Sequence, residues 1–447
     1  MSFDELVINS LRKQNMQKNV ETVVLLQYEP KNLFYLRKEE DYRFIKHRLE
    51  FMKDGYLELL ELQNFSPINM ASTADTFVLG FVITVGEKIF VFNNIDESND
   101  TLVELNLSEL DRYSLFPGQV VAIKGHNPNG NEIIVRKIYD SPVLPVNFFD
   151  ERDRKVDTKN NSFSVCFISG PFNDDVKTEH FNSPDVYNHF FRSLDQITTM
   201  DADYLVVLGP FIENKFLNSS LDLERVRDIF VAKLNAWINK KPFRKVITVP
   251  STDDVHTLGM YPSAPLGCKS ASILSLSNPT QFYIDNVLFS VCTYDMLLHM
   301  SSTEVFFDVD ENASLPESEI NHRSDRVDSN VLNTLDSCAP KAQKRTKRIE
   351  RLSAHIIYQR CFLPCFPPRK VVSINRSECF DMSVAPDFFV ICSKLKTFIQ
   401  RDEGPFIIAN VGYQPKIANK QVLRIVVDNN NSNFEERFTT EFEKYDK

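Results

Sequence analysis

Glycine is scarce in this chain, at 12 of 447 residues, against an average of about 7%. Every glycine-dependent device can therefore be inspected, and several are missing. There is no Gly-x-Gly-x-x-Gly, no Walker loop and no Gly-x-Ser-x-Gly, which excludes the usual dinucleotide, P-loop and hydrolase-elbow chemistries. Basic charge is also short: 51 Lys and Arg against 61 Asp and Glu give a net charge of −10. That excludes a bulk cationic surface wrapped in nucleic acid and leaves room only for a local strip. The eight cysteines, from Cys166 to Cys392, include no Cys-x-x-Cys pair, so free thiols in a reducing compartment are expected. No apolar run approaches the ~18 residues of a membrane span, and Met1–Asn19 has no apolar core to act as a signal peptide.

What is present reads as several domains. Tyr42, Ile45, Leu49, Met52, Tyr56, Leu59 and Leu60 fall at helical spacing, which predicts one amphipathic helix over 39–62 within an N-terminal segment, 1–70. Gly55 inside it marks a kink or a close contact. Short β-rich runs follow at Phe77–Thr84, Lys88–Asn93, Thr101–Leu107, Gln119–Gly125 and Glu132–Ile138, divided by turn signals. Five strands in so short a stretch predict a five-stranded OB-type barrel over 75–147. A charged linker, 148–160, leads to an α/β domain over 161–430, whose near-continuous apolar runs fit strands buried on both faces. They lie at Phe163–Ile168, Tyr204–Leu208, Lys245–Val249, Gln281–Ile284, Val287–Cys292, Phe388–Cys392 and Phe406–Ala409. Helices are expected at Pro184–Met200 and Leu221–Lys240. Residues 301–343, poor in apolar side chains, are expected to form a disordered insertion, and 431–447 a C-terminal tail. The basic cluster Lys341, Lys344, Arg345, Lys347, Arg348 and Arg351 fits a nuclear import signal, a phosphate contact or a solvated helix face.

The loops after successive strands are where an α/β enzyme places its catalytic groups. They read Ser169-Gly170-Pro171-Phe172, Gly209-Pro210-Phe211-Ile212-Glu213 and Pro250-Ser251-Thr252-Asp253-Asp254. Their succession resembles the calcineurin-like metallophosphoesterases, whose loops carry Asp-x-His, Gly-Asp-x-x-Asp, Gly-Asn-His and Gly-His-x-His. Two-metal hydrolysis needs those carboxylates and imidazoles to neutralise divalent cations and deprotonate a bridging water. Here Ser169, Pro171, Pro210, Ser251 and Gly412-Tyr413-Gln414-Pro415 stand in their places, and only Glu213 and Asp253 still offer an oxygen. No catalytic, cofactor or metal residue is therefore expected. Asp254-Val255-His256 lacks partners, Cys361-x₃-Cys365 with His355 reads as core thiols rather than zinc ligands, and His299 reads as a packed helix histidine.

An OB barrel followed by an inactivated phosphoesterase-like sandwich resembles the B subunits of eukaryotic replicative DNA polymerases. Leu107–Leu110 followed by Tyr113-Ser114-Leu115-Phe116-Pro117-Gly118-Gln119-Val120-Val121 is similar to the signature of the polymerase alpha branch. Leu208–Ile212, Val249–Ser251, Asp254–His256, Tyr261-Pro262, Thr293–His299, Gln359-Arg360 and Pro386-Asp387 match in the same order. The resemblance implies a non-catalytic scaffold in the nucleus, with no cofactor and no membrane. Its implied partners are the C-terminal module of the polymerase alpha catalytic subunit and the primase subunits, with DNA reached through the complex; a B subunit of polymerase delta or epsilon is the alternative, and an active metallophosphodiesterase a more distant one. Family members begin with a separate helical domain, for which residues 1–28 are short. A single-strand-binding barrel would need aromatics interleaved with cations, and Phe77, Phe81, Phe90 and Phe92 are instead expected to pack the core. Tyr113–Val121 is expected to organise the packing of the barrel against the α/β domain, with Leu115 and Phe116 buried and Gly118 at positive φ.

Overall fold

The computed structural model describes residues 22–26, 40–95, 101–145, 162–172, 191–213, 223–309 and 339–444, with short interruptions. Strand β1 (Thr22–Leu26) is followed by helix α1 (Glu40–Leu60). Strands β2 (Ser72–Val85), β3 (Lys88–Phe92), β4 (Leu102–Asn106), β5 (Arg112–Leu115), β6 (Val120–Asn127) and β7 (Glu132–Tyr139) come next. Then come β8 (Ser162–Ser169), β9 (Tyr204–Leu208), helix α2 (Leu223–Ile238), β10 (Lys245–Val249), β11 (Ile273–Ser275), β12 (Thr280–Ile284) and β13 (Val287–Cys292). Helix α3 (Met296–Thr303), β14 (Val305–Asp308) and helix α4 (Ala339–Tyr358) precede β15 (Phe388–Ile391), β16 (Phe398–Arg401) and β17 (Ile407–Asn410). Strand β18 (Gln421–Asp428), helix α5 (Phe434–Arg437) and β19 (Phe438–Lys444) close the described chain. It divides into two compact units, Arg37–Leu144 with His299–Pro367, and Met1–Leu36 with Pro145–Leu298 and Pro368–Lys447.

In the first of these units, β2, β3, β4, β7 and β6 form a closed barrel, shut by the parallel pair β4–β7. All five expected strands are present. The alternation that announced them puts Val78, Val82, Val91, Val103, Val121, Ile123 and Val135 inside, because successive strand residues face opposite sides. Helix α1 covers part of the outside, where Ile45, Leu49, Met52 and Tyr56 pack on Leu79, Phe81, Val120 and Ala122. Tyr42 and Leu59, expected on that apolar face, are exposed instead. Gly55 is a close contact: a Cβ there would lie 3.0 Å from the Val143 carbonyl oxygen. Among the four barrel phenylalanines Phe81 is fully buried and the half-buried Phe92 packs against the cluster under α1, so the core-packing expectation is corrected only for Phe77 and Phe90, which are half-buried.

The expected disordered insertion is corrected at both ends. Ser301–Thr303 complete α3, and Val305–Asp308 is strand β14, paired antiparallel with β5 from Val305 opposite Leu115 to Asp308 opposite Arg112. Helix α4 begins at Ala339. Residues 310–338 lie outside the described chain, as do most of the expected helix Pro184–Met200 and the linker 148–160.

The other unit is built on two six-stranded sheets, ordered β1-β12-β13-β15-β17-β16 and β11-β10-β9-β8-β18-β19. Alternation again explains the layers. Val165 and Phe167 of β8, Val206 and Leu208 of β9, and Ile247 and Val249 of β10 share a core with Phe282, Phe289, Phe388 and Ile407 of the facing sheet. Cys166, Ile168, Leu205, Val207 and Val246 point the other way, onto Phe230, Leu234 and Trp237 of α2. Burial on both faces is why these strands read as continuous apolar runs. The N-terminal run Thr22–Leu26 and the expected tail are drawn into the sheets. Strand β1 pairs with β12, and β19 pairs with β18 from Phe438 opposite Val427 to Lys444 opposite Gln421.

Candidate docking surfaces

The loops singled out from sequence gather at the ends of β8, β9 and β10. The Gly170 N–H donates to the Leu208 carbonyl at 2.9 Å and the Gly209 N–H to the Val249 carbonyl at 2.8 Å. Both glycines are required by backbone proximity. A Cβ on Gly170 would strike the Pro210 carbonyl oxygen, and one on Gly209 would lie 2.6 Å from the Ser251 nitrogen. The fourth loop joins them, since the Ser169 hydroxyl donates to the Gly412 carbonyl at 2.6 Å.

The carboxylates of these loops are engaged by protein donors. Asp254 is fully buried and accepts the Phe211 N–H at 2.7 Å. Lys370 reaches Asp253 at 2.5 Å and the Thr252 hydroxyl at 2.9 Å. Glu213 accepts the Tyr413 hydroxyl, and burial, followed by that hydrogen bond and then the Glu213 charge, pushes the Tyr413 phenol above its ordinary range. Burial pushes the neighbouring Cys392 thiol up to about 12, with Sγ donating to the Gly412 carbonyl at 3.2 Å. Lys370 and Tyr413 fill places for which the sequence named no partner, and nothing local in the chain marks Lys370 for that role. Among the described residues, no group of three or more His, Cys, Asp and Glu stands together as a metal site. Gln414, Pro415 and the side chain of His256 lie outside the described residues.

The second concentration of specific contacts is in the barrel unit, around Tyr113–Val121. Leu115 and Phe116 are fully buried and Gly118 has φ +101°. Glu304, His355 and Phe366 all contact this stretch. The Ser114 hydroxyl donates to Glu304 at 2.8 Å and lies 3.0 Å from His355 Nε2. Glu304, its side chain wholly inaccessible, also accepts Arg351 at 2.8 Å and Arg348 at 2.9 Å. Burial alone would raise its carboxyl, but Arg351, with help from Ser114 and Arg348, holds it below the ordinary range. His355 packs edge-on against the Phe116 ring and has Asp140 3.8 Å from Nδ1. The Phe366 N–H donates to the Pro117 carbonyl at 2.9 Å, and a Cβ on Gly118 would lie 2.5 Å from the Phe366 nitrogen. Cys361 and Cys365 are buried and stand outside any disulfide, and His355 faces the Ser114 hydroxyl. His299 is buried on α3.

Most residues of both clusters lie within stretches that match known families. The sequence family described as the B subunit of DNA polymerase alpha/epsilon matches residues 165–400, more than half of the chain. The chain belongs to that family. A second family description, the OB domain of the B subunit of DNA polymerase alpha, matches residues 45–141, spanning most of α1 and the whole barrel. Among curated relatives, the DNA polymerase alpha B subunit of Bos taurus is 24% identical over 375 residues, covering 79% of this chain and 54% of that protein. The protein of the same name from Schizosaccharomyces pombe is 24% identical over 332 residues, covering 68% of this chain and 49% of that protein. The chain spans about half the length of the curated relatives it matches. As a member of this B-subunit family it is a mixed α/β chain carrying an OB domain.

Proposed function

We propose that this chain is the non-catalytic accessory subunit of a nuclear polymerase alpha–primase assembly. It binds the C-terminal module of the catalytic subunit, holds polymerase and primase together for primer synthesis, and uses no metal or cofactor. In this reading the two-sheet unit is a calcineurin-like sandwich whose active-site loops have been converted into a rigid surface. The observation that carries it is the state of the loop carboxylates. Asp254 is spent on the Phe211 amide, Asp253 on Lys370 and Glu213 on Tyr413. A metal centre would need those oxygens turned toward a cation. Loops tied by hydrogen bonds lose little freedom when a partner docks, which favours binding.

Two measurements test the reading together. Metal analysis of the purified chain is expected to find no stoichiometric Mn, Fe or Zn. Affinity purification from growing cells is expected to recover a large polymerase chain and two primase chains. Two tightly held ions with manganese-dependent diester cleavage would overturn the reading, as would recovery of a delta or epsilon catalytic chain in place of alpha.

A further inference from the structure

Strand β19 ends its sheet, and one of its two edges has no strand partner among the described residues. All 7 of its residues, Phe438–Lys444, pair with β18 on the other side without a bulge. The pairing fixes which backbone groups face out. Ser164 of β8 gives both of its groups to Asp203, accepting the Asp203 N–H at 3.0 Å and donating its own N–H to the carboxylate at 2.9 Å. They point to the β9 side, so Val426, opposite Ser164 on β18, turns its groups to Thr439 of β19. Antiparallel pairs alternate in this way. Thr439, Glu441 and Glu443 are thereby committed to β18, and the N–H and C=O groups of Thr440, Phe442 and Lys444 are sent to the open edge. Only the first outward carbonyl, that of Phe438, is taken, by Arg401 at 2.5 Å. Side chains divide the strand as well, since successive residues face opposite sides. Phe442, with Ile399 of β16 and Phe434 of α5, is half-buried against the inter-sheet core, whereas Glu441 and Glu443 share the outer face. Glu443 is paired with Arg424 at 3.0 Å; Glu441 is exposed, as are Glu435 and Glu436 on the preceding α5.

We propose that the open edge of β19 takes up a basic extended segment of another protein chain as an added strand. Main-chain hydrogen bonds to an exposed edge supply affinity, and the alternate side chains of the incoming strand supply specificity. One face of that strand meets Phe442 and the rim of the core, and the other meets Glu441 and the acids beside it. The partner chemistry is therefore a short run alternating apolar residues with Lys or Arg. A second copy of β19 fits poorly, because antiparallel pairing sets Glu441 and Glu443 among their own counterparts, and like charges opposite each other destabilise a sheet. Edges that must stay empty are blunted by lysine, proline or a bulge; β19 has no proline and carries its one lysine at the last position. Two other edge strands are shorter, β11 with 3 residues and β16 with 4. Strand addition uses no residue of the loops after β8, β9 and β10, so it stands or falls separately from the reading of those loops.

The experiment gives the full chain a fluorescent peptide of about ten residues alternating valine and lysine, and reads anisotropy together with amide hydrogen exchange. The Thr440 and Phe442 amides are expected to exchange freely in the chain alone and to slow about tenfold or more under saturating peptide. The Glu441 amide, already in the ladder with β18, changes less. Glu441→Lys is expected to weaken the peptide about fivefold at low salt, with thermal melting of the variant separating lost binding from lost fold. A peptide of the same composition, with its valines and lysines in two blocks, is expected to bind far more weakly. Equal binding of the block peptide overturns the proposal and identifies a purely electrostatic surface. Unchanged exchange at Thr440 and Phe442 under saturating peptide overturns it as well. So does protection of those amides in the free chain: at every concentration it places another segment of this chain on the edge, and with concentration-dependent dimerisation it places a second copy there.

Discussion

The side-chain amide of Gln359 satisfies both backbone groups of Val120. Its carbonyl accepts the Val120 N–H at 2.8 Å and its NH₂ donates to the Val120 carbonyl at 2.9 Å. Tyr56 donates to the same carbonyl at 2.9 Å, and Arg48 donates to the Gln359 main-chain carbonyl at 2.5 Å. All four residues are fully buried. One polar knot therefore joins α1, the first residue of β6 and the segment after α4.

Breaking that knot orphans a buried amide. Gln359→Leu leaves the Val120 carbonyl to Tyr56 but strands its N–H, at a cost of about 1–3 kcal/mol. Gln359→Glu is expected to be worse, because an ionised carboxylate accepts from the N–H yet cannot donate to the carbonyl, and it buries a charge. Urea unfolding with a reporter in the barrel measures both; a Glu variant as stable as wild type contradicts the bonding scheme.

Gly118 combines two requirements. Its φ of +101° is a region that side chains rarely adopt, and a Cβ would collide with the backbone of Pro364 to Phe366. Gly118→Ala is expected to exceed the ~1–3 kcal/mol of backbone strain alone. Phe116→Ala, at a fully buried ring, is expected to cost about 3–5 kcal/mol. Denaturation midpoints give both values, and a Gly118→Ala penalty under about 1 kcal/mol would show that the segment 364–366 yields to the new methyl.

Acid should loosen this unit through His355. Burial lowers its affinity for a proton, Arg351 adds to that, and Asp140 and Glu304 only partly oppose it. The folded imidazole therefore titrates below its unfolded counterpart. The unfolded chain takes up the proton first, so stability holds above about pH 6.5 and falls as the pH drops below it. Glu304, also held low, contributes in the same direction but in the more acidic carboxylate window. Stability measured from neutral pH downward should fall less steeply in His355→Gln than in wild type between those two windows. Identical slopes would show that His355 is proton-silent.

Much of the architecture was legible locally. Alternation with turn signals located all five barrel strands, and apolar runs located the strands buried on both faces, because those patterns follow from which side of a strand meets water. Gln359 was visible as a matched residue but not as the partner of Val120. The run Thr22–Leu26 had no readable period, since a threonine and four apolar residues fit a strand or a buried turn of helix equally well. Strand β14 was read as part of a disordered insertion, because its neighbours in sequence are polar and its pairing partner, β5, lies nearly two hundred residues earlier.

The division between sequence and structure is clearest in the two clusters. Sequence alone determined the absences, since a proline at 210 and a serine at 251 cannot become carboxylates in any fold, and it determined the glycines that turn or crowd the backbone. Tertiary structure decided what the remaining polar groups do. Lys370 takes Asp253, Tyr413 takes Glu213, and Glu304 returns to Ser114. Those pairings join residues 117, 200 and 190 positions apart. They follow from how the sheets and the barrel bring distant chain together, and a buried charge must find a partner wherever the fold has placed one.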